Sequence, residues 1–119
     1  MSLVKIIPKV IYDDINVGLQ FFTALGFEIK YQEEGFAIFA RDGVTIQVVA
    51  SEEDFAIGDR PEFRIDTNDI EAIYNEIKAN HPEVLHPNLK VIKEQPWGLR
   101  EFAVLDETTV CIVFQQSID

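Results

Sequence analysis

The order of segments along this chain predicts an α+β fold of two βαβββ modules, with curved mixed sheets around a cleft and helices outside. Three observations carry that expectation. Only two stretches have helical apolar spacing, and each opens on Asp-Ile, at Asp14-Ile15 and Asp69-Ile70. Each is preceded by one β-branched run and followed by three strand-like segments separated by turn residues. The pattern covers nearly all of the 119 residues, with module one about 4–51 and module two about 61–116 in a single domain, 1–119.

Residues 4–11 (VKIIPKVI) are apolar and β-branched but broken by Pro8. They read either as an edge strand or as a strand exchanged with a partner, because proline removes a ladder donor. Asp14 is an N-cap, Ile15, Leu19 and Phe22 follow at helical spacing, and Gly26 is the stop. Strands are expected at 27–32, 36–41 and 44–50, joined by Glu33-Glu34-Gly35 and by Asp42-Gly43, a strong hairpin signal. Residues 52–60 (EEDFAIGDR) form an acidic crossover. The second pass begins with a strand at 61–66. Asn68 and Glu71 resemble a capping box, and Ile70, Ile73, Tyr74 and Ile77 line one helical face up to Asn80, ahead of Pro82. After a loop at 80–88, strands are expected at 89–94, 100–105 and 109–115, with Asp106-Glu107 turning into the last.

Apolar residues make up 47% of the chain, enough for one core without staples. The formal charge is −11, with 21 acidic against 10 basic residues. Such a field repels nucleic acid and anionic membrane and concentrates cations; it equally describes a solvated acidic surface. The apolar runs are too short to span a bilayer, and residues 1–8 do not read as a signal peptide. A cytoplasmic location is expected. The single cysteine, Cys111, has no internal disulfide partner and reads as a buried core thiol.

Catalytic constellations are thin. His81 and His86 flank a proline loop with only Glu83 between them, too few donors for a metal. Ser2, Ser51 and Ser117 lie in no nucleophile context, and no Gly-rich phosphate loop is present. A binding role fits better. The sole tryptophan, Trp97, stands between Pro96 and Gly98 in the run Glu94–Phe102. A rigid aromatic on a Pro/Gly turn either forms a pocket wall or is a half-buried turn residue.

The stretch EQPWGLREFAVLD, Glu94 to Asp106, resembles the corresponding part of bleomycin-resistance proteins, which are drug-sequestering members of the vicinal-oxygen-chelate (glyoxalase-like) superfamily. Pro8, Gly35-Phe36-Ala37 and Arg41-Asp42-Gly43-Val44-Thr45 match that family in order and spacing. The resemblance implies a homodimer with strand exchange at Pro8, and a drug held between the rings of Phe36 and Trp97. For Phe36 the competing reading is an ordinary core strand residue. A cationic tail on the ligand is expected near Glu33, Glu34 and the crossover residues Glu52, Glu53 and Asp54. Superfamily metalloenzymes take ligands at four positions that correspond here to Ile7, Gln47, Glu62 and Val113. Two of these cannot donate a lone pair, so no metal and no cofactor is expected. Gln47 and Glu62 are then free to hydrogen-bond a ligand, and Arg100 to brace the tryptophan loop through Glu101 or Asp106. The chain departs from the family at its last turn, where Asp106 is followed by Glu-Thr-Thr instead of Pro and Gly-Asn.

The expected function is therefore non-catalytic: a homodimer that sequesters a bleomycin-type glycopeptide, or a similar aromatic or cationic small molecule. The alternatives are a metal-dependent glyoxalase-like lyase or isomerase, which needs donors at positions 7 and 113, and a binder of an unrelated metabolite.

Overall fold

The computed structural model describes residues 1–51 and 59–118. The chain divides into two compact units, residues 1–55 and 56–119. The first contains β1 (Lys9–Tyr12), α1 (Ile15–Ala24), β2 (Glu28–Glu33), β3 (Phe36–Arg41) and β4 (Val44–Ala50). The second contains β5 (Glu62–Asp66), α2 (Ile70–Asn80), a 3₁₀ turn at Pro82–Val84, β6 (Lys93–Glu94), β7 (Leu99–Leu105) and β8 (Cys111–Ser117). Each unit has one mixed four-stranded sheet, ordered β1-β4-β3-β2 and β5-β8-β7-β6. In both, the first strand runs parallel to the last and the other neighbours are antiparallel. This is the expected α+β class and the expected βαβββ order, twice.

The two aspartates cap as the repeat requires. Asp14 accepts from the Asn16 amide at 3.0 Å and Asp69 from the Ala72 amide at 3.1 Å, each satisfying a donor that the first helical turn leaves unpaired. The capping pair Asn68/Glu71 is thus corrected by one residue: Asp69 is the cap, and the Asn68 carbonyl accepts from Gln116. Helix α1 ends in a Schellman motif. The Phe27 amide bonds to the Phe22 carbonyl and the Gly26 amide to the Thr23 carbonyl, with Gly26 at φ 86° and the Phe22 and Phe27 rings in edge contact.

Strand alternation divides each sheet into a face covered by its helix and a face turned away from it. In the first unit Val10, Tyr12, Ala37, Phe39, Ile46 and Val48 are buried on the α1 side. The α1 stripe that meets them is Gly18, Phe21, Phe22 and Leu25, while Ile15 and Leu19 are only half-buried. The expected stripe was therefore rotated. The reason is Gly18, where an added Cβ would lie 2.5 Å from the Tyr12 ring and 2.8 Å from the Val48 side chain, so the helix backbone packs directly onto sheet side chains there. In the second unit Tyr74 of α2 packs edge-on against Phe102, which stacks on Phe114, with Ile70 and Ile77 buried.

Two strands are shorter than their sequence suggests. Of residues 4–11 only 9–11 join the sheet, in a strand that runs on to Tyr12; the Pro8 carbonyl still accepts from the Gln47 amide, but Leu3, Val4 and Ile6 are exposed. Of 89–94 only Lys93–Glu94 form a ladder. Upstream, single bonds join His86 and Leu89 to Ala103, because Pro87 offers no donor and the Asn88 amide turns onto His86 Nδ1. Among the described residues no helix is long and apolar enough to cross a membrane.

Candidate ligand-binding site

Trp97 lies at the tip of the hairpin joining β6 and β7. The Gly98 amide bonds to the Gln95 carbonyl at 3.1 Å, and the Gln95 amide to the Leu99 carbonyl at 2.8 Å, closing a three-residue loop of Pro96, Trp97 and Gly98. Such loops combine a tight turn with a final residue at positive φ. Pro96 presets the first turn position, and Gly98, at φ 90°, supplies the last. The Gly98 carbonyl also accepts from the Ile118 amide at 3.0 Å, which ties the loop to the end of β8. The backbone under the indole is therefore fixed, while the ring is 61% exposed. A large aromatic held in water in this way is not part of the core.

The indole is not free to swing. Its Nε1–H donates to Glu101 Oε2 at 3.0 Å, and Glu101 is only 2% exposed. The same oxygen accepts from Arg64 Nη1 at 2.8 Å, and Glu101 Oε1 accepts from Gln95 Nε2 at 3.3 Å. Arg64 also donates to Gln115 Oε1 at 3.1 Å, approaches Glu62 at 3.6 Å, and Gln115 Nε2 donates to Asp66 at 2.8 Å. The register explains the cluster. Asp66 pairs with Gln115 across β5 and β8, and Gln115 pairs with Glu101 across β8 and β7, so all project from the face turned away from α2. A carboxylate is tolerated in that buried position because three donors converge on it.

In the first unit, Phe36 is half-buried on the face turned away from α1, where the Tyr31 ring meets it edge-on at 6.2 Å. Ile38 and Gln47 share that face and pair directly across β3 and β4. Gln47 is half-buried; Glu33 is exposed and accepts from the Tyr31 hydroxyl at 3.3 Å, and Glu34 is exposed on the next turn. The crossover carboxylates Glu52, Glu53 and Asp54 lie outside the described residues.

Other expected site residues fall elsewhere. Arg100 does not reach Glu101 or Asp106. It donates to Glu71 of α2 at 2.6 Å, on the helix side of the sheet. Adjacent strand residues point to opposite faces, so Arg100 and Glu101 cannot pair. Asp106 is instead occupied by the amides of Thr108 and Val110 in its own turn, where Thr109 takes φ 72°. Cys111 is half-buried on the face it shares with Glu62, not in the core. Burial pushes its thiol pKa up, nearby Glu62 pushes it further, and Arg64 opposes both. The four metal-ligand positions of the superfamily do not suit a metal. Ile7 and Val113 have no donor atom, Val113 is buried, and Glu62 is engaged by Arg64. His81 pairs with Glu83, and among the described residues no three His, Cys, Asp or Glu side chains come together as a ligand set. Sequence reasoning named Glu101 as a brace of the tryptophan loop but gave it the wrong partner, and it missed Arg64, Gln95 and Gln115. The available signal was one glutamate in the otherwise apolar run Glu101–Leu105, at a position facing away from Phe102.

The fold is that of the glyoxalase/bleomycin resistance/dioxygenase superfamily. A bleomycin-binding protein crystallised with bleomycin superimposes with a TM-score of 0.79 over 95% of this chain and 98% of its own, at 18% identity. A bleomycin-binding protein from Streptomyces verticillus, crystallised with copper(II)-bleomycin, gives 0.75 over 96% of each chain at 22% identity. A superfamily member from Alicyclobacillus acidocaldarius gives 0.75 at 15% identity, covering 96% of this chain and 91% of its own. No family model matches the sequence. Bleomycin resistance proteins from Geobacillus stearothermophilus and from Staphylococcus aureus strain MRSA252 are each 30% identical to it, over 98% of both chains. This chain belongs to the bleomycin resistance protein family.

Proposed function

We propose that this protein binds a bleomycin-type glycopeptide stoichiometrically and confers resistance by occlusion, without catalysis. The observation that carries the reading is the exposed Trp97 ring on a fixed hairpin, in a chain of the bleomycin resistance family. A flat heteroaromatic group laid on that indole removes apolar surface from water on both partners. The stacking itself contributes about 0.5–1.5 kcal/mol beyond area burial. Because loop and ring are already ordered, little conformational entropy is lost when the ligand docks.

Phe36, with Tyr31 against it, is proposed as the second aromatic surface, and Gln47 and Glu62 as hydrogen-bonding groups for the ligand. Glu33 and Glu34 attract its cationic part, in keeping with the net charge of −11. Arg100 is engaged with Glu71, so its part in the site is indirect at most. The assembly is proposed to be a homodimer in which the segment before Pro8 exchanges between subunits. The exposed apolar side chains of Leu3, Val4 and Ile6 support that, since a second copy offers them cover. A cytoplasmic location belongs to the same proposal, in keeping with one cysteine and no disulfide partner for it.

Isothermal titration with metal-free and with copper-loaded bleomycin, following Trp97 fluorescence in parallel, tests the reading. Saturable binding with quenching at one or two sites per dimer is expected. Trp97→Ala should weaken binding by about 2–4 kcal/mol, as for a central aromatic anchor. The absence of both heat and quenching in the wild-type protein would refute the assignment.

A further inference from the structure

We propose that Glu101 is a positioning residue for ligand binding: a buried carboxylate whose task is to lock the orientation of the exposed Trp97 indole through its Nε1–H. This rests on the reading that Trp97 is a ligand surface. Among the groups of this network Glu101 is the nine-tenths-buried one, and its surroundings explain how it is held in place. Arg64 supplies the charge at 2.8 Å and Gln95 a donor to the other oxygen at 3.3 Å. Gln115 accepts from the same Arg64 Nη1 at 3.1 Å and helps keep the guanidinium in place. What remains of Oε2 faces the indole N–H at 3.0 Å.

Geometry makes the arrangement specific. Turn closure by Gln95, Gly98 and Leu99 fixes only the backbone of Trp97; it leaves χ1 and χ2 of the side chain free. An indole that is 61% exposed has too few packing contacts to hold one rotamer, so the Nε1 bond is what selects it. A charge-assisted acceptor is roughly twice as strong as a neutral one, and this acceptor has no freedom of its own. The ring is therefore presented with its N–H satisfied and most of its surface open to a ligand. Loss of the carboxylate should release the ring, and ligand binding must then supply the lost ordering.

The experiment uses the full chain and metal-free bleomycin. Trp97 is the only tryptophan, so the protein has a single indole N–H resonance. Glu101→Ala leaves Arg64 with Gln115 and Glu62 as partners. It is expected to shift and broaden the indole resonance in the unliganded protein and to weaken bleomycin binding about tenfold. Glu101→Gln should restore most of both, because its amide oxygen can still accept from Arg64 and Trp97 while the Gln95 amide turns over to meet its nitrogen. Should the alanine variant not fold, Glu101→Asp withdraws the carboxylate from Nε1 while keeping its charge for Arg64, and the same shift is expected. In a Trp97→Phe background, which has no N–H, the Glu101 substitutions should add little further loss of affinity.

An unchanged indole resonance overturns the proposal. So does an equal loss of affinity in the Trp97→Phe background, which would make Glu101 only a part of the sheet. If Trp97→Ala binds bleomycin as tightly as the wild type, the ligand reading of Trp97 fails instead, and the proposal built on it falls too. The resonance in the unliganded variants would still show whether Glu101 holds the ring.

Discussion

Trp97 owes its character to neighbours that differ in kind. Pro96 and Gly98 dictate its backbone, and Glu101 takes up its one polar atom. Exposure of a large aromatic is ordinarily unfavourable, and here its polar atom is satisfied while apolar ring surface remains for a ligand to cover. Cys111 illustrates the opposite case, a reactive group made quiet by its setting. The thiolate is the nucleophile, and burial together with Glu62 pushes the thiol pKa up, so less thiolate is present at any given pH. Alkylation of Cys111 should therefore be slower at pH 8 than that of an unhindered thiol, with its pH profile displaced upward. Glu62→Gln removes a charge that disfavours the thiolate and leaves Arg64 to favour it. The profile of that variant should move down, as measured by iodoacetamide labelling against pH; an unmoved profile would mean that Glu62 does not influence the thiol.

At the scale of elements, the decisive contacts are those between each helix and its sheet. Helix α1 approaches closely only because position 18 has no side chain. Gly18→Ala would improve intrinsic helix propensity by about 1 kcal/mol and still lose stability. The added methyl meets the Tyr12 ring and Val48 in a packed interior, where overpacking typically costs about 1–3 kcal/mol. Urea unfolding should show a lower midpoint for this variant, and a raised midpoint would contradict the close approach. The two strand faces are equally distinct in function. On β7, Arg100 braces α2 through Glu71, while Glu101 one residue on serves the tryptophan loop. Arg100→Ala is accordingly expected to leave bleomycin affinity within about twofold of the wild type, because exposed ion pairs contribute little and this one lies on the helix side. A large loss of affinity in that titration would return Arg100 to the ligand face.

For the whole molecule, the segment before β1 is the feature that the chain leaves unresolved within itself. Several large apolar side chains in a row, with Ile6 90% exposed, are poorly suited to water, and cover by a second copy is the proposed remedy. Sedimentation at micromolar concentration should give a dimer, and deletion of residues 2–7 should shift it toward monomer; a monomeric wild-type protein would refute strand exchange. The acidic surplus acts at the same scale. A net charge of −11 attracts cations from a distance, and on the proposed reading it would steer a cationic ligand, an effect that fades as salt shortens the screening length.

Much of this was legible in the sequence, because local physics controls it. Asp14, Gly26 and Asp69 mark helix ends through hydrogen bonds made within a few residues, and alternation of apolar residues marks strands wherever one face is buried. The repeat of βαβββ units and the prominence of the Pro96-Trp97-Gly98 turn followed from the same short-range rules, and the stretch Glu94–Asp106 carried the family. What only the tertiary structure decided depends on partners distant in sequence. Arg64 meets Glu101, 37 residues away, and Arg100 meets Glu71, 29 residues away, because strand order and helix placement bring them together. The α1 stripe turned toward Gly18 because a sheet residue, Tyr12, needs the space a glycine leaves. The amino-acid sequence by itself determined which segments become helix and strand, since each responds to its own neighbours. The tertiary structure decided which charged groups surround the exposed indole, since that depends on register between strands that no local pattern encodes.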